Sequence, residues 1–124
     1  MIAVDSSTLI AFIQGDSGAD TEAFDLNLQS SRVFIPPVLL TEILCQSGMP
    51  DRHRRLCLSL PLLELSEGFW ERAAASRAII LKRRLRARLA DTLIAQACID
   101  NDVSLITRDR DFRHFHKHCG LRLA

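Results

Sequence analysis

Hydrophobic and polar positions change along the chain from strand-like runs to helix-like spacing. The run "IAVD" predicts a short buried strand, and "SSTLIAFIQ" predicts a helix that stops at Gly15. A second amphipathic helix is predicted over residues 18 to 29, before a strand at "RVFIP". Pro36 and Pro37 then fall in the first turn of a helix through "VLLTEILCQ", where proline is tolerated.

The same alternation continues to the end of the chain. A basic helix is predicted at "DRHRRLCLSL", a strand at "LLELS", and helices at "EGFWERAAASRAIILKRRL" and "ADTLIAQACIDND". A strand at "VSLIT", a helix at "DFRHFHKHC" that stops at Gly120, and an edge strand at "LRLA" follow. Strands alternating with helices predict an α/β fold with three layers, α/β/α, around a mostly parallel sheet of about five strands.

One helical stripe is interpreted as part of the core. The side chains Trp70, Ala73, Ala74, Arg77 and Leu81 recur at helical spacing. Apolar stripes of this kind most often pack against the interior of a domain. We therefore expect this face to be buried.

Size and composition narrow the class of protein. A chain of 124 residues, 48% hydrophobic, predicts a single domain over residues 1–124 with one compact core. The start "MIAVDSS" resembles neither a signal peptide nor an anchor, and no apolar run approaches the roughly 20 residues that span a bilayer. The four cysteines form no CxxC pair, which favours a reduced, cytoplasmic location. A net charge of +1 means that any charged partner meets a local patch.

Four acidic residues map to one edge of the predicted sheet. Asp5 and Asp109 follow predicted strands, and Glu42 and Asp91 lie early in helices. In a parallel sheet the strand C-termini and the following helix N-termini share the edge where ligands bind. Each residue alone has a structural explanation as a helix cap, first-turn carboxylate, exposed helical residue or turn residue. Their convergence on one edge favours a functional site.

The chemistry of such a site follows from its charge. Two carboxylates about 4 Å apart repel by roughly 4 kcal/mol at an effective dielectric near 20, so a compensating cation is expected. Oxygen ligands select hard ions, Mg²⁺ or Mn²⁺, which commonly bind phosphate groups as well. Such ions activate water and stabilise charge on a phosphodiester. The pattern therefore indicates phosphodiester hydrolysis.

The segments "VDSSTLI", "LLTEIL", "LADTLIAQAC" and "LITRDRDF" resemble the four acidic motifs of PIN-domain ribonucleases, in the same order and at similar intervals. The size and pattern further resemble the VapC-like toxins of toxin–antitoxin pairs. This resemblance covers essentially the whole chain. It implies a PIN-like fold, Mg²⁺- or Mn²⁺-dependent endoribonuclease activity on RNA, homodimerisation, and neutralisation by a cognate antitoxin protein.

Carried over by position, the resemblance assigns the catalytic and metal-binding quartet to Asp5, Glu42, Asp91 and Asp109. Asp111 matches a further acidic position and is alternatively a cap of the last helix. Ser6 and Thr107 match small hydroxyl positions that support the carboxylates through hydrogen bonds. The segment "RLRARLA" lacks the Ser or Thr that often starts the helix of Asp91, which leaves the start of that helix open.

The run "KRRLRAR", residues 82 to 88, is strongly basic. It is either a solvated helix end or a patch that binds the RNA backbone through bidentate arginine–phosphate contacts. Its position just before Asp91 favours RNA binding, which positions RNA without reading its sequence. The candidate RNA-binding residues are Arg83, Arg84, Arg86 and Arg88, and Arg52, Arg54 and Arg55 are weaker candidates.

Other functions fit the sequence less well. A zinc site at His114, His116, His118 and Cys119 is disfavoured because residues two apart on a helix do not share a face. A receiver domain requires paired acids and a late lysine, and an aspartate-nucleophile phosphatase requires DxD where this chain has "DSS". Two alternatives stay open: an RNA-processing PIN nuclease without an antitoxin, and an inactive PIN-like module that binds RNA or protein.

Overall fold

A computed structural model describes residues 1–124, and its centre is a four-stranded parallel sheet. The strands run in the order β2-β1-β3-β4, and every neighbouring pair is parallel. This arrangement confirms the predicted α/β fold with a parallel sheet. The strand bounds are β1 (Ile2–Val4), β2 (Val33–Phe34), β3 (Ser104–Ile106) and β4 (Arg122–Leu123).

All seven predicted helices form. Their bounds are α1 (Ser6–Ile13), α2 (Ala19–Gln29), α3 (Pro37–Leu44), α4 (Asp51–Ser59), α5 (Phe69–Lys82), α6 (Leu89–Asp100) and α7 (Phe112–Cys119). Pro37 is the first residue of α3, and Gly120 ends α7 in a left-handed conformation with φ of 82°. None of these helices combines the length and apolar character that crossing a membrane requires.

Alternating side chains of the two central strands supply two separate cores. Ala3 and Leu105 belong to the larger core, which α5, α6 and α7 complete. Val4 and Ile106, one residue further along each strand, belong to a second core with α1, α2, α3 and α4. Successive strand residues point to opposite faces of a sheet, so the pattern places helices on both faces. The three-layer prediction is confirmed.

The sheet has four strands instead of about five because the segment "LLELS" makes only one bridge. Leu62 pairs with Ile35 in parallel, and the amide of Leu63 donates to the carbonyl oxygen of Ile35 at 2.9 Å. The chain beyond Ile35 continues with Pro36 and Pro37, which have no N–H to donate. The ladder between the two segments therefore cannot extend.

The expectation that the Trp70 stripe packs against the core holds for Ala73, which is buried, and is wrong for Trp70 and Leu81. Trp70 is 62% exposed and Leu81 is 47% exposed. The buried face of α5 carries Phe69 and Ile80 and shares Ala73 with the predicted stripe. The two stripes are offset by one residue, roughly 100° around the helix, and both are apolar. Helical spacing therefore indicates an amphipathic helix without deciding which apolar face is covered.

Candidate metal centre

The C-terminal ends of β1 and β3 define the place of the site. β1 lies between β2 and β3, so the chain order of the strands reverses direction across β1. The C-terminal ends of β1 and β3 therefore mark the switch point of the sheet. Open parallel sheets bind ligands at such a point. Asp5 directly follows β1, and its amide donates to the carbonyl oxygen of Ile106 at 3.1 Å. Thr107 and Asp109 follow β3 on the neighbouring strand.

Asp5 is a buried carboxylate that four contacts hold in place. Thr107 Oγ1 donates to Asp5 Oδ2 at 2.6 Å, and the hydroxyl of Ser7 lies 2.8 and 2.9 Å from the two carboxylate oxygens. The amide of Thr8 donates to Oδ1 at 3.2 Å, so Asp5 is also the N-cap of α1. Burial raises the pKa of Asp5, and these hydrogen bonds oppose the rise. Asp5 therefore both caps α1 and takes part in the site.

The expected support from Ser6 is off by one residue. The hydroxyl of Thr107 contacts Asp5 where the sequence places it, but the serine that contacts Asp5 is Ser7. An N-cap side chain faces the second and third helical residues, which here are Ser7 and Thr8. No side-chain hydrogen bond joins Ser6, the first helical residue, to Asp5. The motif "DSS" contains both serines, and only the cap geometry separates them.

Three carboxylates meet closely next to Asp5. Oxygens of Asp91, Asp109 and Asp111 all lie within 4.8 Å of one another. Asp91 is in the first turn of α6, and Asp111 is at the N-cap position of α7 without a side-chain capping bond. The amide of Asp111 donates to Asp109 Oδ1 at 2.9 Å, which fixes the turn between them. Asp111 therefore belongs to the cluster and does not cap its helix through its side chain.

Glu42 lies on α3, which packs against α6, and its charge acts on the pKa of Asp91. Its Oε1 atom is buried and has no hydrogen-bond partner, and the same is true of Asp91 Oδ2. Burial, and then the charge of Asp5, raise the pKa of Glu42. Buried carboxylate oxygens without donors are unfavourable unless a cation or proton satisfies them.

The pKa of Asp91 shows that the four predicted acids share one electrostatic environment. Burial raises this pKa from 3.8 to about 6, with further increases from the charges of Asp109, Glu42 and Asp5. The positive charge of Arg88 opposes the rise. The fold thus brings Asp5, Glu42, Asp91 and Asp109 together, and the direct three-carboxylate contact adds Asp111 to them.

The donor set fits a hard divalent cation. All candidate ligands are carboxylate oxygens. Such ligands favour the hard ions Mg²⁺ and Mn²⁺ over softer metals. The unsatisfied oxygens of Asp91 and Glu42 are the specific observation that supports the fit. Asp91, Asp109 and Asp111 could hold an ion directly, with Asp5 and Glu42 adjacent.

The predicted basic run borders this acidic cluster. Arg83, Arg84, Arg86 and Arg88 are all exposed, in and around the loop between α5 and α6. Arg86 Nη1 lies 3.8 Å from Asp111 Oδ2, and Arg88 is close enough to Asp91 to lower its pKa. Arg77 Nε donates to the carbonyl oxygen of Ala87 at 2.8 Å and holds the loop. Positive charge is therefore placed directly beside the carboxylates.

The side chains of His116 and His118 on α7 have different surroundings. His116 Nδ1 lies 2.6 Å from the carbonyl oxygen of Leu121, beyond the helix end. His118 instead lies near Arg83, Lys117 and His114, and its pKa is lowered by burial first and then by these positive charges. Positive neighbours around His118 oppose the binding of a further cation.

Comparison with known proteins identifies the family. The chain matches the model of the PIN domain over residues 2–117, nearly its whole length, and so belongs to the PIN-domain family. A search of curated proteins gives no match. The fold is similar to a chain in the crystal structure of VapBC2 from Rickettsia felis bound to a DNA fragment from their promoter. The TM-score is 0.71 at 18% identity, over 100% of this chain and 98% of that chain.

The raised pKa of Asp91 predicts a pH-dependent stability of the metal-free protein. A folded pKa of about 6 exceeds the ordinary 3.8, so the folded state binds more protons between these values and stability falls as pH rises through them. Asp91→Asn removes this ionisation. In EDTA, the melting temperature of the variant minus that of the wild type should increase from pH 4 to pH 7 and then level off. A difference that does not change with pH would contradict the assignment.

Proposed function

We propose that the protein is a metal-dependent endoribonuclease that hydrolyses RNA phosphodiester bonds, and that it is the toxin of a toxin–antitoxin pair. The observation that carries the proposal is the carboxylate cluster of Asp91, Asp109 and Asp111 beside the unsatisfied oxygen of Glu42. Such a cluster at the switch point of a PIN fold is suited to Mg²⁺ or Mn²⁺. The same geometry disfavours an inactive binding module, which has no need of buried, unpaired carboxylates.

The proposed roles follow from the contacts. Asp91 and Asp109, with Asp111, hold the ion, and Asp5 lies beside them in a position that Ser7, Thr8 and Thr107 fix. Bound Mg²⁺ or Mn²⁺ supplies an activated water and stabilises negative charge on the phosphate. The free Oε1 of Glu42 is available to ligate the ion or to accept a proton from the attacking water. Exposed arginines beside the cluster neutralise and orient the RNA backbone.

The partner proposal rests on the similarity to VapBC2, a complex bound to DNA from its own promoter. We infer that a cognate antitoxin protein binds this chain and neutralises its activity. A neighbouring short gene for a DNA-binding protein supports this proposal. A chain without such a neighbour, acting on a single RNA precursor, supports the alternative of an RNA-processing nuclease.

Cleavage should depend on Asp91. We expect Asp91→Asn to lower the rate of RNA cleavage in Mg²⁺ by at least roughly a hundredfold, the size typical when a group that stabilises developing charge is lost. RNA binding should persist because the arginines are unchanged. The matched control is Asp102→Asn, because the Asp102 side chain is 88% exposed and precedes β3 at the opposite end of that strand.

The measurement is cleavage of a labelled RNA, together with mapping of RNA ends in cells after induction. Equal rates for Asp91→Asn and wild type, in preparations from which other nucleases have been removed, would contradict the proposed nuclease.

The basic loop offers a second prediction, on RNA affinity. Arg84 and Arg86 are exposed in the loop that borders the cluster, and Arg52 and Arg55 are also exposed, on α4. Each phosphate contact to single-stranded RNA contributes about 0.7 to the slope of log affinity against log salt. We expect Arg84→Gln with Arg86→Gln to reduce that slope by about 1.4, measured on an Asp91→Asn background.

The matched control is the pair Arg52→Gln and Arg55→Gln, which changes the same net charge. The control should leave the slope close to that of the parent protein. Equal reductions in both double variants would show that affinity depends on total charge and not on the loop.

We also propose a homodimer that covers the exposed apolar surface of α5 and α6. Trp70 and Leu89 are 62% and 61% exposed, and together with Leu81 and Leu93 they line one apolar groove. Exposed apolar surfaces of this kind mark protein interfaces. The occupant proposed is a second copy, as the resemblance to VapC-like toxins implies.

Sedimentation should report this dimer. We expect the wild type to sediment as a dimer and Trp70→Glu as a folded monomer, because a buried charge at the contact is unfavourable. Leu26→Glu is the matched control, since Leu26 is 67% exposed on α2, away from this groove. A monomeric wild type, or a Trp70→Glu variant that stays dimeric, would contradict the proposed interface.

A further inference from the structure

A bidentate ion pair ties the site to α2. Arg108 Nε lies 2.7 Å from Asp20 Oδ2, and Arg108 Nη2 lies 2.9 Å from Asp20 Oδ1. Paired, nearly parallel contacts of this kind are the strongest geometry between arginine and a carboxylate. The two residues are 88 positions apart in sequence, so the contact forms only in the folded chain.

Asp20 is well suited to hold this arginine permanently. The hydroxyl of Thr8 also donates to Asp20 Oδ2 at 2.9 Å. The hydrogen bonds from Arg108 lower the pKa of Asp20 to about 2, although partial burial opposes this. A pKa of about 2 keeps Asp20 ionised at neutral pH, so Arg108 keeps its charged partner there.

Arg108 occupies a sensitive position between two residues of the site. Thr107 donates its hydroxyl to Asp5, and Asp109 follows directly on the other side. The amide of Asp109 donates to Thr107 Oγ1 at 2.9 Å, and the amide of Arg108 lies 3.3 Å from Ser7 Oγ. The backbone of Arg108 is thus held by the site, whereas its side chain turns away toward α2.

A guanidinium at this point has two possible partners. The pKa of Arg108 is raised first by Asp20 and, at longer range, by the charges of Asp16 and Asp5. The charge of Arg108 therefore interacts with that of Asp5, beside the cluster, even in the outward orientation. Without Asp20, the carboxylates that still attract this side chain are Asp16 and Asp5. A guanidinium that turned toward Asp5 would compete with a metal ion for the negative charge of the site.

We propose that Asp20 is a positioning residue that keeps the guanidinium of Arg108 out of the acidic cluster and so leaves the carboxylates free for a divalent cation. This role rests on the proposed function, since it presupposes metal binding by Asp91, Asp109 and Asp111. This role accounts for part of the alternating charge of "LITRDRDF". Asp20 holds the side chain of Arg108 away from the site, whereas the neighbouring residues Thr107 and Asp109 belong to it.

The test is calorimetric titration of the metal-free, full-length protein with Mn²⁺ alone, at pH 7.5. Asp20→Asn should weaken Mn²⁺ binding by about tenfold, the lower range for losing a residue that supports metal ligands. Arg108→Gln should keep wild-type affinity, because it removes the competing charge together with the ion pair. The double variant with both substitutions should recover most of the affinity that Asp20→Asn loses.

This pattern separates positioning from simple structural support. If the ion pair only stabilised the fold, Asp20→Asn, Arg108→Gln and the double variant would weaken Mn²⁺ binding alike, which would overturn the proposal. Arg108→Gln also serves if Asp20→Asn does not fold, because a loss of affinity in that variant alone contradicts the competition argument.

The chain provides a matched control ion pair away from the cluster. Arg72 Nη2 lies 2.7 Å from Asp100 Oδ2, and Nε lies 3.1 Å from both oxygens of Asp100. Asp100 is the last residue of α6, at the opposite end from Asp91. Asp100→Asn removes a comparable ion pair and should leave Mn²⁺ affinity unchanged.

The outcomes distinguish this proposal from the function on which it rests. Equal Mn²⁺ affinity of the wild type and Asp20→Asn contradicts the positioning role alone. Absence of Mn²⁺ binding by the wild type contradicts the proposed metal-dependent function, and the positioning role with it.

Discussion

Electrostatic repulsion among carboxylates at one edge of the sheet is the constraint around which this structure is organised. Asp91, Asp109 and Asp111 place their oxygens within 4.8 Å of one another, and Asp5 and Glu42 add their charges nearby. A cluster of this kind is unfavourable by itself, and the rest of the fold has to hold it in place. Two packed cores, one on each side of the sheet, provide the rigidity.

The acids of the site differ in the hydrogen bonds that support them. Asp5 is buried and surrounded by donors, so its position is fixed by Ser7, Thr8 and Thr107. Asp91 and Glu42 each retain a buried oxygen without a donor, so they depend on a cation or a proton. This division suits a site in which some carboxylates organise the geometry and others bind the ion. The arginines beside the cluster place positive charge next to these acids.

Much of this arrangement follows from local sequence pattern. Strand and helix periodicity predicts the order of elements, and the placement of Asp5 and Asp109 after strands and of Asp91 in the first turn of a helix predicts their convergence. Glu42, expected early in its helix, lies in the second half of α3, so this rule does not account for its position. The other features can be predicted because the order of strands and helices along the chain decides which residues meet at the edge of a parallel sheet. The family resemblance adds their roles, which periodicity alone does not contain.

The features that were not predictable depend on tertiary contacts. The exposure of Trp70 depends on which of two apolar faces of α5 meets the core, and the missing strand depends on the prolines after Ile35. The choice of Ser7 over Ser6 follows from the geometry of the helix cap. The pair between Asp20 and Arg108 joins residues from opposite ends of the chain, and nothing in either local segment indicates the contact.

The most direct test of the central claim is a crystal structure of the protein grown with Mn²⁺ and measured for anomalous scattering. We expect a manganese peak coordinated by carboxylate oxygens of Asp91, Asp109 and Asp111. A map with these carboxylates well ordered and no manganese among them would contradict it.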